Sequence, residues 1–340
     1  MPVMMIGTQR SGSNLLRLML NQLPDIASPH PPHILERLGP LEADYGDLSD
    51  DTHWQQLRED VCGLVETNPV AWDGVVLDRA DVDARCRERS LVALFGAVYE
   101  ILAETWGKHD WMCKSLANVH YLPQIEAYFG KRAKYLYLYR EGRDVALSFR
   151  KALIGDKTFY NLGKVWNQEQ QLALACRDRV DPDQFFMISY EQLTANPEPH
   201  LRALCDFLGA EYTPAMLDFH QSAEAGRTAV AALWSNVTRP VDSSNTGKYL
   251  REASEDDIRA YEWVAGETLD TLGYPRHFTS VGETHEFSSD EIAAYDAENA
   301  RLKRAARESA DPKDLELRRP QEAHMAAIRD RLYGTETNAA

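Results

Sequence analysis

One arginine near the start of the chain lies in a loop of small residues that has the spacing of an anion site. The segment from Met4 to Leu20 reads as a short buried strand, a loop rich in Gly and Ser, and an amphipathic helix. Such a loop points backbone N–H groups and the positive end of the helix dipole at one spot, which favours phosphate or sulfate. Arg10 adds a guanidinium that keeps its charge and can bind two anion oxygens. The sequence therefore predicts an anion site around Arg10.

The loop lacks the signature of the nucleoside triphosphatases. In that signature a Lys-Ser or Lys-Thr pair follows the second glycine of the loop, and no such pair is present here. Taken alone, the run from Gly7 to Leu20 is equally consistent with a strand-to-helix turn that binds nothing. A second cluster of charges helps to decide between these interpretations.

That second cluster follows another strand. Lys134–Tyr139 has the alternating, aromatic pattern of a strand, and Arg140–Arg150 reads as a turn that opens into a helix. Positive side chains at the start of a helix, here Arg140 and Arg143, oppose the helix dipole unless an anion is bound. The arrangement therefore favours a ligand.

A third motif completes a recognisable set. Ile188–Leu193 contains the pair Tyr190 and Glu191 and leads into a helical pattern that ends at Gly209. In this order the three motifs resemble those of the sulfotransferases that use 3′-phosphoadenosine 5′-phosphosulfate (PAPS), over residues 3 to 275. The chain is identified as a bacterial member of that family, similar to its tyrosylprotein or Golgi-type branch.

The resemblance implies a role for each motif. The first loop would hold the 5′-phosphosulfate, Arg140 and Ser148 would hold the 3′-phosphate, and Tyr190 would lie near the adenine. A late loop that closes over the nucleotide in the family corresponds to the region of Arg239 and Lys248, which are candidates for reaching the phosphates. The implied contacts of the first loop come from six consecutive residues: Arg10, Ser11, Gly12, Ser13, Asn14 and Leu15.

Sulfuryl transfer requires fixed positive charge, because charge builds on the leaving oxygen as an acceptor attacks in line. Arg10 supplies one cation. Lys114, at the end of the predicted strand Trp111–Ser115, resembles the Lys that contacts the transferring group in the tyrosylprotein enzymes; the alternative is an exposed lysine at a strand end. The cytosolic small-molecule enzymes place a catalytic His near this strand, where the chain has Ser115 and Leu116, so that variant of the mechanism is not expected.

The general base is expected on a proline-rich segment. In the tyrosylprotein enzymes a Glu lies about twenty residues after the loop Arg, but Pro31 occupies that position here. His30 and His33 flank Pro31, and a neutral imidazole with a pKa near 6.5 is a competent base for a hydroxyl proton. We favour His33 as the catalytic base, with His30 next and Glu36 in reserve.

Helix and strand alternate through residues 119 to 210, which predicts an α/β fold: a parallel sheet flanked by helices, with a P-loop-like strand, loop and helix. We expect a sulfotransferase domain over 1–275, with a helical insertion at about 41–108 that shapes the acceptor side. A charged helical C-terminal extension over 276–340 would pack over the acceptor cleft or pair two subunits. Trp166 is expected either to line the acceptor pocket or to lie in the core.

Composition restricts the partners and the compartment. The chain has 37 basic and 53 acidic residues, and this net charge of -16 predicts a surface that repels nucleic acid. No apolar run approaches the roughly 18 residues needed to cross a membrane. The N-terminus lacks a basic region and a cleavage site, and the 5 cysteines lack metal or disulfide spacing. We therefore expect a cytoplasmic protein with no metal site and no membrane span.

These observations predict a PAPS-dependent sulfotransferase that needs no metal and releases adenosine 3′,5′-bisphosphate. Its acceptor would be a hydroxyl or amine of a small molecule, glycan or lipid. One alternative is a kinase of related fold, which would need Mg²⁺ held by a loop Ser or Thr and a strand-end Asp. The other is a nucleotide-binding protein of the same fold without turnover. Metal dependence would select the first alternative, and binding without sulfate release the second.

Overall fold

The chain forms a five-stranded parallel sheet with helices on both faces. The structure is a computed structural model that describes residues 1–229 and 236–334. The strand order is β2-β3-β1-β4-β5, and every pair is parallel. The predicted α/β fold with a parallel sheet is therefore confirmed. The bounds of the strands are β1 Pro2–Ile6, β2 Ile26–Ala27, β3 Asp110–Cys113, β4 Lys134–Tyr139 and β5 Phe185–Ser189.

Helices connect and cover the strands, and short 3-10 turns join several of them. Their bounds in chain order are α1 Ser13–Leu20, α2 Ile34–Leu38, α3 Asp51–Glu66, α4 Arg79–Arg85, α5 Leu91–Thr105, α6 Leu122–Phe129, α7 Gly142–Arg150, α8 Phe159–Arg179, α9 Tyr190–Ala195, α10 Pro197–Leu208, α11 Ala223–Thr228, α12 Tyr249–Glu252, α13 Glu255–Thr271, α14 Ser289–Glu308 and α15 Pro312–Tyr333.

The central strand β1 is apolar along its whole length because both of its faces are covered. Met4 and Ile6 belong to a core cluster with α3, α5 and α15, whereas Val3 and Met5 belong to a second cluster with α1 and α10. Successive side chains of a strand point to opposite faces, so a strand in the middle of a covered parallel sheet must be hydrophobic at every position. This packing fixes the loop that follows β1.

The region predicted as a helical insertion contains α3, α4 and α5. Asp50 caps α3, since its side chain accepts hydrogen bonds from the N–H groups of Thr52 and His53. The region differs from the expectation in one respect: α5 is buried along most of its length and packs against β3. It is therefore a core helix, because a nearly continuous apolar run must be covered on all sides.

Two long helices follow residue 276 and pack onto the rest of the chain. On α15, Met325 and Ile328 are buried in the same core cluster as α3. On α14, Asn299 is buried against the start of α8, where its side-chain oxygen accepts the N–H of Lys157. The last six residues of the predicted extension lie outside the described residues, and the division into domains stays a prediction. Within the described ranges, no helix is long and apolar enough to cross a membrane.

Candidate active site

The predicted site residues follow four neighbouring strands. Arg10 lies in the loop after β1, Lys114 directly follows β3, Arg140 directly follows β4, and Tyr190 directly follows β5. Because the strands are parallel, their carboxyl ends share one edge of the sheet, which is where open α/β folds bind ligands. The topology therefore brings together residues that are far apart in sequence.

The loop after β1 is built from positions that require glycine. Gly7 has a φ of 131°, and a Cβ there would lie 2.2 Å from the carbonyl oxygen of Leu138. Gly12 has a φ of 87°, and a Cβ there would lie 2.4 Å from the ring of Tyr190. Only a residue without a side chain fits such close approaches. The loop is thus pressed against β4 and against Tyr190.

The first turn of α1 is open to an anion. Gly12 is its N-cap and gives no side-chain hydrogen bond to the helix. The first N–H groups of a helix have no partner within the helix, so an anion can take the place of a cap. Ser11 adds a buried hydroxyl whose oxygen has no hydrogen-bond partner among the described residues. The predicted run from Arg10 to Leu15 therefore encloses the uncapped helix start.

Two guanidinium groups meet at this loop. Arg10 has a φ of 71°, and its Nε donates to Ser148 Oγ at 3.0 Å. Arg140 donates to the carbonyl oxygen of Arg10 at 2.9 Å, and its guanidinium lies 4.4 Å from the centre of the Tyr190 ring. Burial, together with the charge of Arg140, lowers the pKa of Arg10. Two buried like charges favour the binding of an anion between or beside them.

A late loop closes against Arg140. Arg140 donates to the carbonyl oxygen of Asn245 at 2.5 Å, and Lys248 donates to the Asn245 side chain at 2.6 Å. Asp144 on α7 holds the same loop by accepting the N–H groups of Gly247 and Tyr249. Lys248 and Arg140 therefore contact the same residue, Asn245.

Arg239, the other candidate of the late loop, has a different position. Its side chain is exposed, and within the described ranges it makes no hydrogen bond or ion pair with Arg140 or Asn245. The structure therefore joins Lys248 to the site and leaves Arg239 at the surface.

His33 is held beside Lys114. Its Nδ1 lies 3.0 Å from Ser115 Oγ and 2.8 Å from Glu36 Oε2. The contact with Glu36 is an electrostatic one, since Oε2 has no directed hydrogen bond among the described residues. Burial lowers the pKa of His33, with Lys114 and Arg37 acting in the same direction and Glu36 opposing them. The imidazole is therefore neutral at neutral pH.

Glu36 stays ionised next to His33. Burial would raise the pKa of Glu36, but the contact with His33 and the charges of Arg37 and Lys114 outweigh burial and lower it. A carboxylate next to one ring nitrogen stabilises the imidazolium that forms when the other nitrogen takes up a proton. The pair could thus act together in proton transfer.

His30, the second candidate base, lies in the core. Its side chain is only 3% exposed, and its carbonyl oxygen accepts hydrogen bonds from Asn68 and Trp72. Burial, followed by the charges of Lys114 and Arg17, lowers its pKa well below the ordinary value. Of the two imidazoles, His33 has the greater access to solvent, with 22% of its side chain exposed.

Lys114 is buried and surrounded by charge. Burial, followed by the charge of Arg17, lowers its pKa to about 7, with Arg10 lowering it further and Glu36 opposing. The alternative of an exposed strand-end lysine is wrong, since only 7% of the residue is exposed. An anion nearby would favour its protonated form.

Arg17 was not singled out by the sequence reasoning. It is fully buried on α1 and donates to the carbonyl oxygen of Ser28, to Glu224 and to Thr228. It ties α1 to the segment before His30 and to α11. A lone arginine within an amphipathic helix gives no local signal for partners on α11, so the sequence could not have revealed this role.

Two residues near the second motif prove to be structural. Arg143, expected with Arg140 to face an anion, is instead fully buried and paired with Glu141 and Glu262. These carboxylates supply the negative charge that its place at a helix start requires. Trp166 is 1% exposed, and its ring nitrogen donates to the carbonyl oxygen of Arg140 at 3.2 Å. It lies in the core, which is the second of the two expected positions.

A comparison with family models decides what this site belongs to. Residues 2–214, which contain all five strands and the loop of Arg10, match the model described as the sulfotransferase family. The chain belongs to the sulfotransferase family. The resemblance of the three motifs to those of the sulfotransferases is therefore confirmed.

Several curated relatives of this sulfotransferase are named protein-tyrosine sulfotransferases. A protein-tyrosine sulfotransferase of Drosophila melanogaster is 24% identical over 81% of this chain and 52% of its own length. Protein-tyrosine sulfotransferase A of Caenorhabditis elegans is 22% identical over 79% of this chain and 66% of its own length. Protein-tyrosine sulfotransferase 1 of Danio rerio is 23% identical over 82% of this chain and 73% of its own length. The chain thus spans half to two thirds of the first two relatives.

Solved sulfotransferase domains share the fold. The sulfotransferase domain from the Synechococcus PCC 7002 olefin synthase is 20% identical, with a TM-score of 0.54 over 81% of this chain and 95% of that chain. The domain from the curacin biosynthetic pathway is 21% identical, with a TM-score of 0.51 over 81% of this chain and 98% of that chain. The architecture of this sulfotransferase is therefore that of known members.

Proposed function

We propose that the chain transfers a sulfuryl group from PAPS to a hydroxyl group, or to an amine, of a small molecule, glycan or lipid. One observation carries the proposal: Arg10 and Arg140 are joined through the loop at the uncapped start of α1. Two phosphate-like groups at the ends of one nucleotide would satisfy both guanidiniums and the helix N-terminus. Membership of the sulfotransferase family supports this interpretation.

The residues present fit this donor. Besides the uncapped helix start, two buried polar atoms, Ser11 Oγ and Arg140 Nε, have no hydrogen-bond partner among the described residues. In the proposal Arg10 and the N–H groups of residues 11–15 bind the 5′-phosphosulfate. Arg140, Ser148 and Lys248 bind the 3′-phosphate, and Tyr190 lies against the adenine.

The donor supplies an activated sulfuryl group, and the chain supplies charge and a base. The acceptor oxygen forms a bond to sulfur while the bond from sulfur to the bridging phosphate oxygen breaks, which releases adenosine 3′,5′-bisphosphate. Arg10 and protonated Lys114 stabilise the negative charge that builds on that bridging oxygen. Neither residue needs to give up a proton for this role.

His33 takes the acceptor proton in this mechanism. When Nδ1 carries the ring proton and donates it to Ser115 Oγ, Nε2 is the nitrogen that accepts. Glu36, 2.8 Å from Nδ1, stabilises the imidazolium that results. His30 is buried among core residues and has no part in the step, and Glu36 remains the alternative base.

The compartment, origin and subunit arrangement complete the proposal. All five cysteines are unpaired, which agrees with a reducing cytoplasm. A bacterial origin is kept as part of the proposal. The acidic surface, with a net charge of -16, favours an acceptor that is not a nucleic acid. A homodimer is retained as an arrangement to be tested.

Transfer of radiolabelled sulfate tests the function. The purified chain is incubated in EDTA with PAPS labelled in its sulfuryl group and with fractions of a cell extract, and labelled products are identified by the mass of one added SO₃. We expect a labelled acceptor, and a matched Arg140→Ala preparation to label it far less. Phosphate transfer from ATP that requires Mg²⁺ would select the kinase instead. Binding of PAPS with no sulfate released to any fraction would select a non-catalytic protein.

A further inference from the structure

The segment that carries His33 is held by four side chains from three other parts of the chain: α1, the loop after α3, and α15. Between Ser28 and His33 the chain contains three prolines, which have no N–H to donate, so the segment cannot extend the sheet by a regular ladder. Its carbonyl oxygens are instead bonded by side-chain donors. Arg17 donates to Ser28, Asn68 and Trp72 donate to His30, and Gln321 donates to Pro32.

The last of these contacts comes from α15. Gln321 is 2% exposed, and its amide nitrogen lies 3.4 Å from the carbonyl oxygen of Pro32 and 3.1 Å from that of Leu64 on α3. The Pro32 carbonyl belongs to the peptide group whose nitrogen is that of His33. Gln321 thus links α3 to the peptide bond between Pro32 and His33, the proposed base.

That peptide is held in an unusual conformation. His33 has a φ of 62°, in the left-handed region that residues with a side chain rarely adopt. Such a conformation persists only when its surroundings fix it, and it is found most often at functional sites. The contact with Gln321 holds the peptide group that precedes the Cα of His33. The contacts with Ser115 and Glu36 hold its imidazole.

We infer that Gln321 is a positioning residue for His33, so that the C-terminal helix α15 takes part in aligning the base. The inference rests on the proposed function in naming His33 as that base. It goes beyond family membership, since α15 lies outside residues 2–214, which match the family model.

The electrostatic surroundings of His33 come from three elements besides its own segment. Ser115 and Glu36 touch the ring, and α15 places charges near Arg37. The charged and titratable groups that face His33, or act on the residue beside it, are His30, Glu36, Arg37, Lys114, Arg318, Glu322 and Arg329. A change at Gln321 alters none of these charges, so any effect on His33 would come from its position.

Gln321→Met tests the inference, because Met keeps the length and packing of Gln and removes the amide donor. The matched control is His324→Ala on the same helix, since His324 also contacts a carbonyl oxygen of α3, that of Asp60, at 3.0 Å. Among the described residues it makes no hydrogen bond to the segment from Ser28 to His33. We expect Gln321→Met to lower kcat about 10- to 100-fold, as a misplaced catalytic group does, with KM for PAPS unchanged. The acidic limb of its pH profile should move to higher pH, because a loosened His33 gains access to water.

A second readout does not require activity. The ring of His33 is titrated by NMR in the full chain, and its signal is assigned with a His33→Gln variant. In Gln321→Met the midpoint should rise towards the ordinary value of histidine, whereas in His324→Ala it should not move. If the wild-type chain transferred no sulfate, the proposed function would fail, and the NMR titration alone would decide the role of Gln321. A folded Gln321→Met protein with the kcat and the titration of the control would overturn the inference.

Discussion

Arg140 contacts more parts of the site than any other charged side chain of the second motif. It bonds to the backbone of Arg10 and of Asn245 and lies over the ring of Tyr190. Each contact uses the planar guanidinium, which a lysine could not reproduce. One residue therefore joins the first loop, the late loop and the start of α9, where Tyr190 lies.

Replacing Arg140 by alanine should weaken the binding of adenosine 3′,5′-bisphosphate. We expect a loss of about 1.5 to 3 kcal/mol, the scale of a charge-assisted hydrogen bond, measured by calorimetry in EDTA. Arg150→Ala is the control, since Arg150 ends α7, the helix that follows Arg140, and pairs with Asp257. Equal affinities in the two variants would remove Arg140 from the site. Tighter binding of AMP than of the bisphosphate would argue against a 3′-phosphate pocket.

Replacing His33 by alanine should reduce turnover without reducing the affinity for the nucleotide. General base catalysis contributes about 10²- to 10⁴-fold, so kcat should fall by that factor. His109→Ala is the control, because His109 is exposed at the start of β3, at the opposite edge of the sheet. Normal turnover in His33→Ala would exclude His33 as the base, and Glu36 would be tested next.

The pH dependence of the wild-type enzyme follows from the lowered pKa of His33. Because burial keeps that pKa below its ordinary value near 6.5, the neutral base persists at mildly acidic pH. We expect kcat to fall only below about pH 6.5. The unfolded chain takes up protons on His30 and His33 before the folded chain does, so the stability should also decrease as the pH falls through this range. If the decline in kcat were complete well above pH 6.5, the group that titrates would not be His33.

At the scale of elements, the start of α1 lies closely against the residue after β5. The ring of Tyr190 occupies the space next to Gly12. Gly12→Ala should therefore disturb both the backbone, at a φ of 87°, and the ring, and should weaken bisphosphate binding at least 10-fold. Gly209→Ala is matched for backbone strain, with a φ of 71° and no atom within 4 Å. If both variants bound the nucleotide equally well, the contact with Tyr190 would have no part in forming the loop.

The elements also show how far the sequence could predict this site. Arg10, Arg140 and Tyr190 were predictable because each lies within one strand, turn and helix, where the local pattern carries the information. The pairing of Arg143 with Glu262 was not, since Glu262 lies 119 residues away on α13. The same holds for His33 and Ser115, 82 residues apart. Local patterns cannot specify such pairs, because the fold alone decides which distant residues meet.

At the scale of the whole molecule, α15 is part of the main core. Ile328 is fully buried, whereas Leu315 on the same helix is 43% exposed. Ile328→Ala should lower the free energy of unfolding by about 2 to 4 kcal/mol, and Leu315→Ala by less than about 0.5 kcal/mol. Urea denaturation should show one transition that moves as a whole. A separate early transition, with the main one unchanged, would mean that residues 276–340 form an independent unit.

The place of α15 in the core also has a consequence for how the protein is made. The apolar face of α3 is complete when Glu66 has been synthesised, but the helix that covers it ends at Tyr333. At roughly 5 to 20 residues per second, that face waits about 15 to 50 s on the ribosome for its partner. During this interval the part of α3 around Asp60 and Leu64, which α15 contacts in the folded chain, is available to chaperones or to other nascent chains. Synthesis is thus a stage at which this chain is exposed to aggregation.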